Sequence, residues 1–420
     1  MAAYGDRAGE IMRTMTADLA ILGNGPVARS LILALAGSPL RVLMLDTHPL
    51  AQARPRLTDR TIALALGSRR LLSRLGVAMP LADAAAIQTV QITQQGISGQ
   101  VRLEHSLLNA PEQRLGEVAG LETLNDALAV PLALCHTLQQ ESPGPLQALQ
   151  WFPDRVQLDW PDLRVETALA VIADGGHGEL TRLASLRRMG WDHNRHAIIA
   201  TVTPRQPLPG IAFEHFLESG PLAFLPIGNN QFSIVWSLRP GDASRVLDLS
   251  DAEFVEALNR QRPPQLPPLV RTGPRSAYPL FFQRLWAEPS QRLALVGNAA
   301  QTLHPLAGQG YNLGLRDVLT LGALLREAAQ RGDDPGNTSL LSDYARIRRR
   351  DRLETVAFTE TMNRLFSSPR LPLRLARAAA LTLLDQIPLG KRELAARLAG
   401  IHLPAQSAIP DLAVGGTYVG

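Results

Sequence analysis

The tightest constraint on the fold lies between Asp18 and Ala36. The run DLAIL, Asp18 to Leu22, is short and apolar, as a parallel strand covered on both faces is, and Gly23-Asn24-Gly25-Pro26-Val27-Ala28 follows it directly before an apolar helix. In a G-x-G-x-x-A turn the first glycine permits the tight turn and the second lets a backbone approach a pyrophosphate. Ala28 is small enough for the helix to pack on its strand. A second apolar strand, Arg41 to Leu45, ends in Asp46, which is placed to accept hydrogen bonds from an adenosine ribose. An acidic residue at that place favours FAD or NAD.

A second stretch, Leu293 to Asp317, reads LALVGNAAQTLHPLAGQGYNLGLRD. Its first residues form a buried strand, and Gly297 with Asn298 ends that strand on a hydrogen-bonding side chain. Gly308, Gly310 and Gly314, set around Gln309 and Asn312, allow backbone N–H groups to approach a ligand just before the apolar helix Val318 to Leu325. Such an entry suits an anionic or electron-rich ligand.

The remaining chain supplies layers around these two pieces. Leu57 to Gly76 places Arg60 before a strand-like run and then a short helix. Ile87 to Leu103 alternates and predicts a hairpin with Gly96 and Gly99 at its turn. Leu115 to Leu134 has helical spacing, ended or kinked at Pro131, and Gln139 to Gln150 is a connection. Two strands follow between Arg155 and Ala173. From His196 to Tyr278 the alternating runs predict an antiparallel sheet with one covered face, with a hairpin turn at Gly228-Asn229-Asn230. PPQLPP, Pro263 to Pro268, is a stiff connection, and Tyr278-Pro279-Leu280 leads back to the strand at Leu293. Leu340 to Phe366 is a charged amphipathic helix whose Arg346, Arg348, Arg349, Arg350 and Arg352 predict a solvated face.

Composition excludes several classes of protein. At 420 residues the chain calls for two domains, or for one with a large insertion, and 45% hydrophobic with 19% charged residues is ordinary for a globular fold. The net charge of +4 does not imply nucleic-acid binding. Cys135 is the single cysteine, so no disulfide framework or cysteine-based zinc site is available, and a reducing compartment follows. No stretch reaches the roughly twenty apolar residues of a membrane span. Residues 1–15 lack the apolar core of a signal peptide and read as a loose tail.

Together these motifs resemble the flavin-dependent aromatic hydroxylases, in particular their ubiquinone-biosynthesis branch. The second stretch resembles the family's strand, G-[D/N]-A-A, H-P and A-G-Q-G-x-N-x-G-x-x-D pattern. Asp59-Arg60-Thr61-Ile62-Ala63-Leu64 is similar to its D-x-R-x-x-A-L, Asp174-Gly175 to its middle A-D-G, and Gly220 to Pro226 to its G-P-x-A-x-L-P. Two departures stand out. Asn298 occupies a position where most of the family has aspartate, and Gly176-His177-Gly178-Glu179 replaces the usual serine and arginine after Asp174.

The resemblance implies an α/β fold: a Rossmann-like FAD-binding domain of the aromatic-hydroxylase type, an inserted antiparallel β-sheet substrate domain, and C-terminal helices. The implied division gives 16–85, 112–185 and 285–365 to the FAD-binding domain and 86–111 with 186–284 to the substrate domain. A helical segment 366–402 and a tail 403–420 complete it. FAD is the implied resident cofactor, held by Gly23, Gly25, Pro26, Val27, Ala28, Asp46, Arg60, Asp174, Gly175, Gly297, Asn298, Pro305, Gly308, Gln309, Gly310 and Asn312. NADH or NADPH is a transient reductant. The implied reaction uses O2 to hydroxylate a polyprenylated phenol, with His304, Pro305, Gly308 and Gln309 nearest the chemistry and no general base named. Phe213, Leu222, Phe224, Pro226 and Trp236 form the implied substrate pocket, with no metal. The alternatives are another FAD enzyme of this fold, acting on a different aromatic or as a reductase, and a catalytically silent assembly subunit of the ubiquinone pathway. The C-terminal segment, apolar with Arg370, Arg374, Arg377, Lys391 and Arg392, suits either packing on the body or contact with a membrane or partner. A cytoplasmic protein, peripheral to the inner membrane and within a ubiquinone-biosynthesis complex, is the setting this implies.

Overall fold

The structure is a computed structural model that describes residues 12–46, 61–78, 84–96, 99–136, 138–176, 179–303, 308–367 and 371–402. The chain opens with β1 (Arg13–Leu22), α1 (Pro26–Leu35) and β2 (Val42–Leu45), followed by β3 (Thr61–Ala65) and α2 (Leu66–Arg74). Next come the hairpin β4 (Thr89–Gln94) and β5 (Gln100–Glu104), then β6 (Gly116–Gly120), α3 (Leu121–Leu132) and β7 (Leu163–Ile172). The middle of the chain holds β8 (Arg187–Pro204), β9 (Ile211–Leu217), β10 (Gly220–Ile227), β11 (Gln231–Leu238), α4 (Asp251–Gln261) and β12 (Leu269–Trp286). It closes with β13 (Leu293–Leu295), α5 (Gln309–Arg331), α6 (Thr338–Ser367), α7 (Leu371–Gln386) and α8 (Pro388–Leu398).

The first sheet carries the G-x-G-x-x-A turn after β1. β1 lies between β2 and β7, parallel to both, and β13 adds in parallel to the end of β7. Leu19 to Leu22 and Leu169 to Ile172 are almost wholly removed from water, as an apolar parallel strand covered on both faces must be. α1 and α5 cover one face so closely that a Cβ on Gly322 would stand 2.8 Å from that of Ala34. The second sheet runs in the order β12, β8, β11, β10, β9, β4, β5, with Gln301–Thr302 at the β12 edge. Its pairs are antiparallel except β9 with β4. The expected hairpin turn is present, Asn229 and Asn230 both taking positive φ of 61° and 56°. This mixed α/β architecture is the fold class the motifs imply.

Several local expectations change. The helical spacing from Leu115 breaks at its start, because Gly116–Gly120 is strand β6, paired with β3. A Cβ on Gly116 would meet the Leu64 carbonyl oxygen at 2.4 Å, so the chain must run extended there to make that approach. The expected stop holds: Pro131 falls in the last turn of α3, which ends at Leu132. Within 139–150, expected to be a connection, strands Leu138–Glu141 and Ala148–Trp151 extend the first sheet. Tyr278 to Leu280 is the middle of the single strand β12. The arginines of α6 do not form one solvated face either: Arg346 and Arg350 are exposed, while Arg348 and Arg352 are 1% and 8% exposed. Helix α4, which covers one face of the second sheet through Phe254 and Leu258, was unforeseen, although its capping box, Ser250 with Glu253, is legible in the sequence.

Candidate active site

Three turns meet at the C-terminal ends of β1, β7 and β13. Gly23, at φ 126°, donates its N–H to the Leu45 carbonyl at 2.8 Å and lies against Ala173, whose oxygen would be 2.5 Å from a Cβ at position 23. Asp174 follows, and its carboxylate accepts the Gly176 N–H at 2.8 Å in a turn with Gly175 at φ 81°. Gly176 packs in turn on Asn298 and Ala299, and Gly297 packs on Val27 at the start of α1. The ring of turns is therefore closed by glycine contacts too tight for side chains.

Along this ring, α1 starts at Pro26 with Gly25 as its N-cap and no side chain filling the cap, so its first N–H groups face outward. A Cβ on Gly25 would meet nothing within 4 Å. Ala28 is buried under the helix, and Asp46 accepts from the Asn24 amide at 3.3 Å at the end of β2. Arg29, which the sequence did not single out, holds this turn through the Asn24 carbonyl and side-chain oxygens at 3.2 and 3.1 Å.

The second approach comes from α5. Gly308 takes φ 60° as its N-cap, again with no side-chain cap, and presses against Ala63. Asn298 is exposed, and its Oδ1 would lie 3.4 Å from a Cβ on Gly310, so the two sit side by side. Gln309 is buried. Asn312 is placed differently from a free ligand donor: its amide gives to the Ala63 and Gly308 carbonyls at 2.9 and 3.0 Å and accepts from the Ala65 N–H at 2.9 Å. It clamps α5 to β3. Arg60, His177, His304 and Pro305 lie outside the described residues.

Asp317 is the positioning residue that motif reading left as a mere end-mark. It is 1% exposed, accepts the Gly297 N–H at 3.1 Å, and pairs with Arg348 at 2.7 Å and Arg352 at 3.0 Å. Asp351 joins Arg316 and Arg348 at 2.8 and 2.6 Å. Burial opposes the charge on Arg348, but Asp317 and Asp351 more than offset it, and its guanidinium stays protonated above the ordinary range. Tyr344 completes the cluster by donating to the Leu295 carbonyl at 2.9 Å. The signal available in the sequence was the i, i+4 pair Arg348 and Arg352, which puts two charges on one helix face.

Beside Asn312 opens a cavity walled by β3, β4, β9, β10, α6 and α8. Its lining is almost wholly apolar, as in a pocket for a hydrophobic ligand. Of the residues expected to line a pocket, Phe213 borders it, though its ring packs toward Phe232 with centroids 6.3 Å apart. Leu222, Phe224 and Trp236 lie in the core that α4 covers, and Pro226 borders a separate surface hollow. The reason is strand alternation: on β10, Leu222 and Phe224 share one face, while Leu225 on the other faces the cavity.

The comparisons with known proteins agree with this geometry. A family model described as an FAD binding domain matches residues 154–359. The ubiquinone hydroxylase UbiL of Rhodospirillum rubrum is 33% identical over 86% of this chain and 84% of that protein. The chain belongs to the FAD-dependent aromatic hydroxylases, in their ubiquinone-biosynthesis branch. The mitochondrial ubiquinone biosynthesis monooxygenase COQ6 of Xenopus tropicalis is 26% identical over 87% of this chain and 89% of that one. Among solved structures, p-nitrophenol 4-monooxygenase PnpA from Pseudomonas putida shares the fold, with a TM-score of 0.75 and 17% identity over 93% of this chain and 99% of that one. This hydroxylase is an FAD-dependent monooxygenase with NAD(P)H as reductant. The open helix N-termini, the unfilled space over Gly25 and the exposed Asn298 fit a dinucleotide running from Asp46 toward Gly310.

Proposed function

We propose that this protein hydroxylates the aromatic ring of a polyprenylated phenol in ubiquinone biosynthesis, with FAD, NAD(P)H and O2. The observation that carries this reading is the apolar cavity bordered by Asn312 and by Ala63 to Ala65, and walled on another side by Phe358, Met362, Leu394 and Leu398. Gly23, Gly25 and the N-terminus of α1 would hold the pyrophosphate, Asp46 the adenosine, and Asn298 the ribityl chain. The flavin, when bound, supplies the oxygen-transfer chemistry. The protein orients the ring and keeps water out. Purified protein is expected to be yellow, to oxidise NAD(P)H faster with a prenylated phenol, and to place one atom of labelled O2 in the product by mass spectrometry. A colourless preparation that takes up no added FAD would sink the reading.

The described residues contain no helix long and apolar enough to cross a membrane. At the outer surface of α7 and α8, however, Leu375, Leu383 and Leu389 are 54%, 62% and 79% exposed, with Arg392 exposed beside them. α8 also carries Leu394 and Leu398 in the cavity wall, so this edge is suited to receive a prenyl chain from a bilayer. Flotation with anionic lipid vesicles is expected to carry the protein upward, and L383E/L389E to leave it at the bottom. Equal flotation of both would refute the contact.

A further inference from the structure

We propose that Glu214 receives the phenolic hydroxyl of the substrate and takes its proton, an assignment that rests on the hydroxylase reading above. Alternation along β9 turns Ala212, Glu214 and Phe216 toward the cavity. Among the described lining residues Glu214 is the sole titratable side chain: those from β3, β4, β10, α6 and α8 are apolar, and the other polar group, Asn312, is fully engaged with backbone. Its neighbour His215 points to the opposite side, where its Nδ1 lies 2.7 Å from the Thr93 hydroxyl. Glu214 is half-buried in the apolar cavity wall, and no charged partner among the described residues offsets the desolvation of its carboxyl, which is costly unless a ligand supplies a hydrogen bond. A polyprenylated phenol has one hydroxyl on an otherwise apolar body, and this cavity offers one matching group.

Burial pushes the Glu214 carboxyl from 4.5 up to about 8, within reach of a phenolic proton. Transfer of that proton to a Glu214 oxygen leaves an electron pair on the phenolate oxygen, which enriches the ring carbon that is to be oxygenated. When that carbon has gained its oxygen it loses its hydrogen as a proton, aromaticity returns, and Glu214 gives back the proton it held. The net change is C–H to C–OH, with one oxygen from O2, the other leaving as water, and two electrons from NAD(P)H.

The test uses the full, FAD-loaded chain and a geranylated phenol, comparing wild type with E214Q and E214D. In the wild type kcat/KM should rise with pH through about 8 as Glu214 ionises. E214Q should bind FAD normally. It should lose the pH limb and fall about 100-fold in kcat with little change in KM. E214D should restore the pH limb and part of the rate, which keeps the test valid if E214Q folds poorly. An E214Q enzyme with wild-type rate and pH profile overturns the proposal and spares the hydroxylase reading. A wild type that holds FAD but makes no hydroxylated product overturns both. Stability gives an independent readout. The group binds its proton more tightly folded than unfolded between pH 4.5 and about 8, so its contribution is complete below 4.5 and lost as pH rises through 8. Wild type should therefore lose stability relative to E214Q across that window, and parallel curves would contradict a desolvated carboxyl in the cavity wall.

Discussion

Asp317→Ala is expected to destabilise the folded protein by about 3–5 kcal/mol, the usual cost of leaving buried charge unpaired. Asp317 is the hinge between two parts of the site. Its carboxylate fixes the Gly297 N–H, and so the turn that presents Asn298, while neutralising Arg348 and Arg352 in an almost dry environment. Removal leaves Arg348 to share Asp351 with Arg316, and leaves the buried Arg352 guanidinium with only the Leu295 carbonyl and the Tyr344 hydroxyl among the described residues. Because domains are stable by only about 5–15 kcal/mol, the loss is a large fraction of the total. Urea unfolding of wild type and variant measures it, and the flavin absorbance per protein after gel filtration reports the loosened turn. A change below about 1 kcal/mol would mean that water or a neighbouring residue replaces the carboxylate, and the positioning role would fall.

The two glycines of the first turn should fail in different ways. Gly23→Ala is expected to cost about 2–5 kcal/mol before any ligand is considered. The residue sits at φ 126°, where an L side chain is strained, and the new methyl would overlap the Ala173 carbonyl oxygen at 2.5 Å. That contact joins β1 to β7 at the centre of the sheet, where neither strand can retreat from its buried neighbours. Gly25→Ala has an ordinary φ of −79° and nothing within 4 Å of its methyl. It should unfold near wild type in urea and yet lose at least 10-fold in FAD affinity, because the open space is where a pyrophosphate would approach. Flavin fluorescence titration separates the two variants. Equal FAD affinity for wild type and Gly25→Ala would move the pyrophosphate elsewhere.

The parallel sheet around β1 and the α/β fold class were legible because they follow from local chemistry. A continuous apolar run, glycines where a turn or a close approach requires them, and an acid at the next strand end all depend on neighbours along the chain. The strand β6 was not legible: its pairing with β3 is made across some fifty residues, and the helical spacing that follows runs into it. Alternation on β10 showed that two sets of side chains point to opposite faces, without showing which face α4 would cover. The aromatic-rich set therefore read as a pocket, whereas the covering helix makes it core and leaves Leu225 on the cavity side.

The arginines of α6 repeat that lesson. Their spacing fixed which of them share a helix face, but a charged face is normally solvated, and only the approach of Asp317 and Asp351 makes it better for Arg348 and Arg352 to be buried. Glu214 is similar. In the sequence it is one polar position in an alternating strand, and its chemical meaning comes from helices more than a hundred residues away that remove water from around it. The sequence by itself determined the glycine-rich turns at the ends of β1 and β13, since backbone conformation and close approach are dictated residue by residue. Tertiary structure alone decided which charges are buried and which strand face lines the cavity, since burial depends on what distant segments bring against a surface.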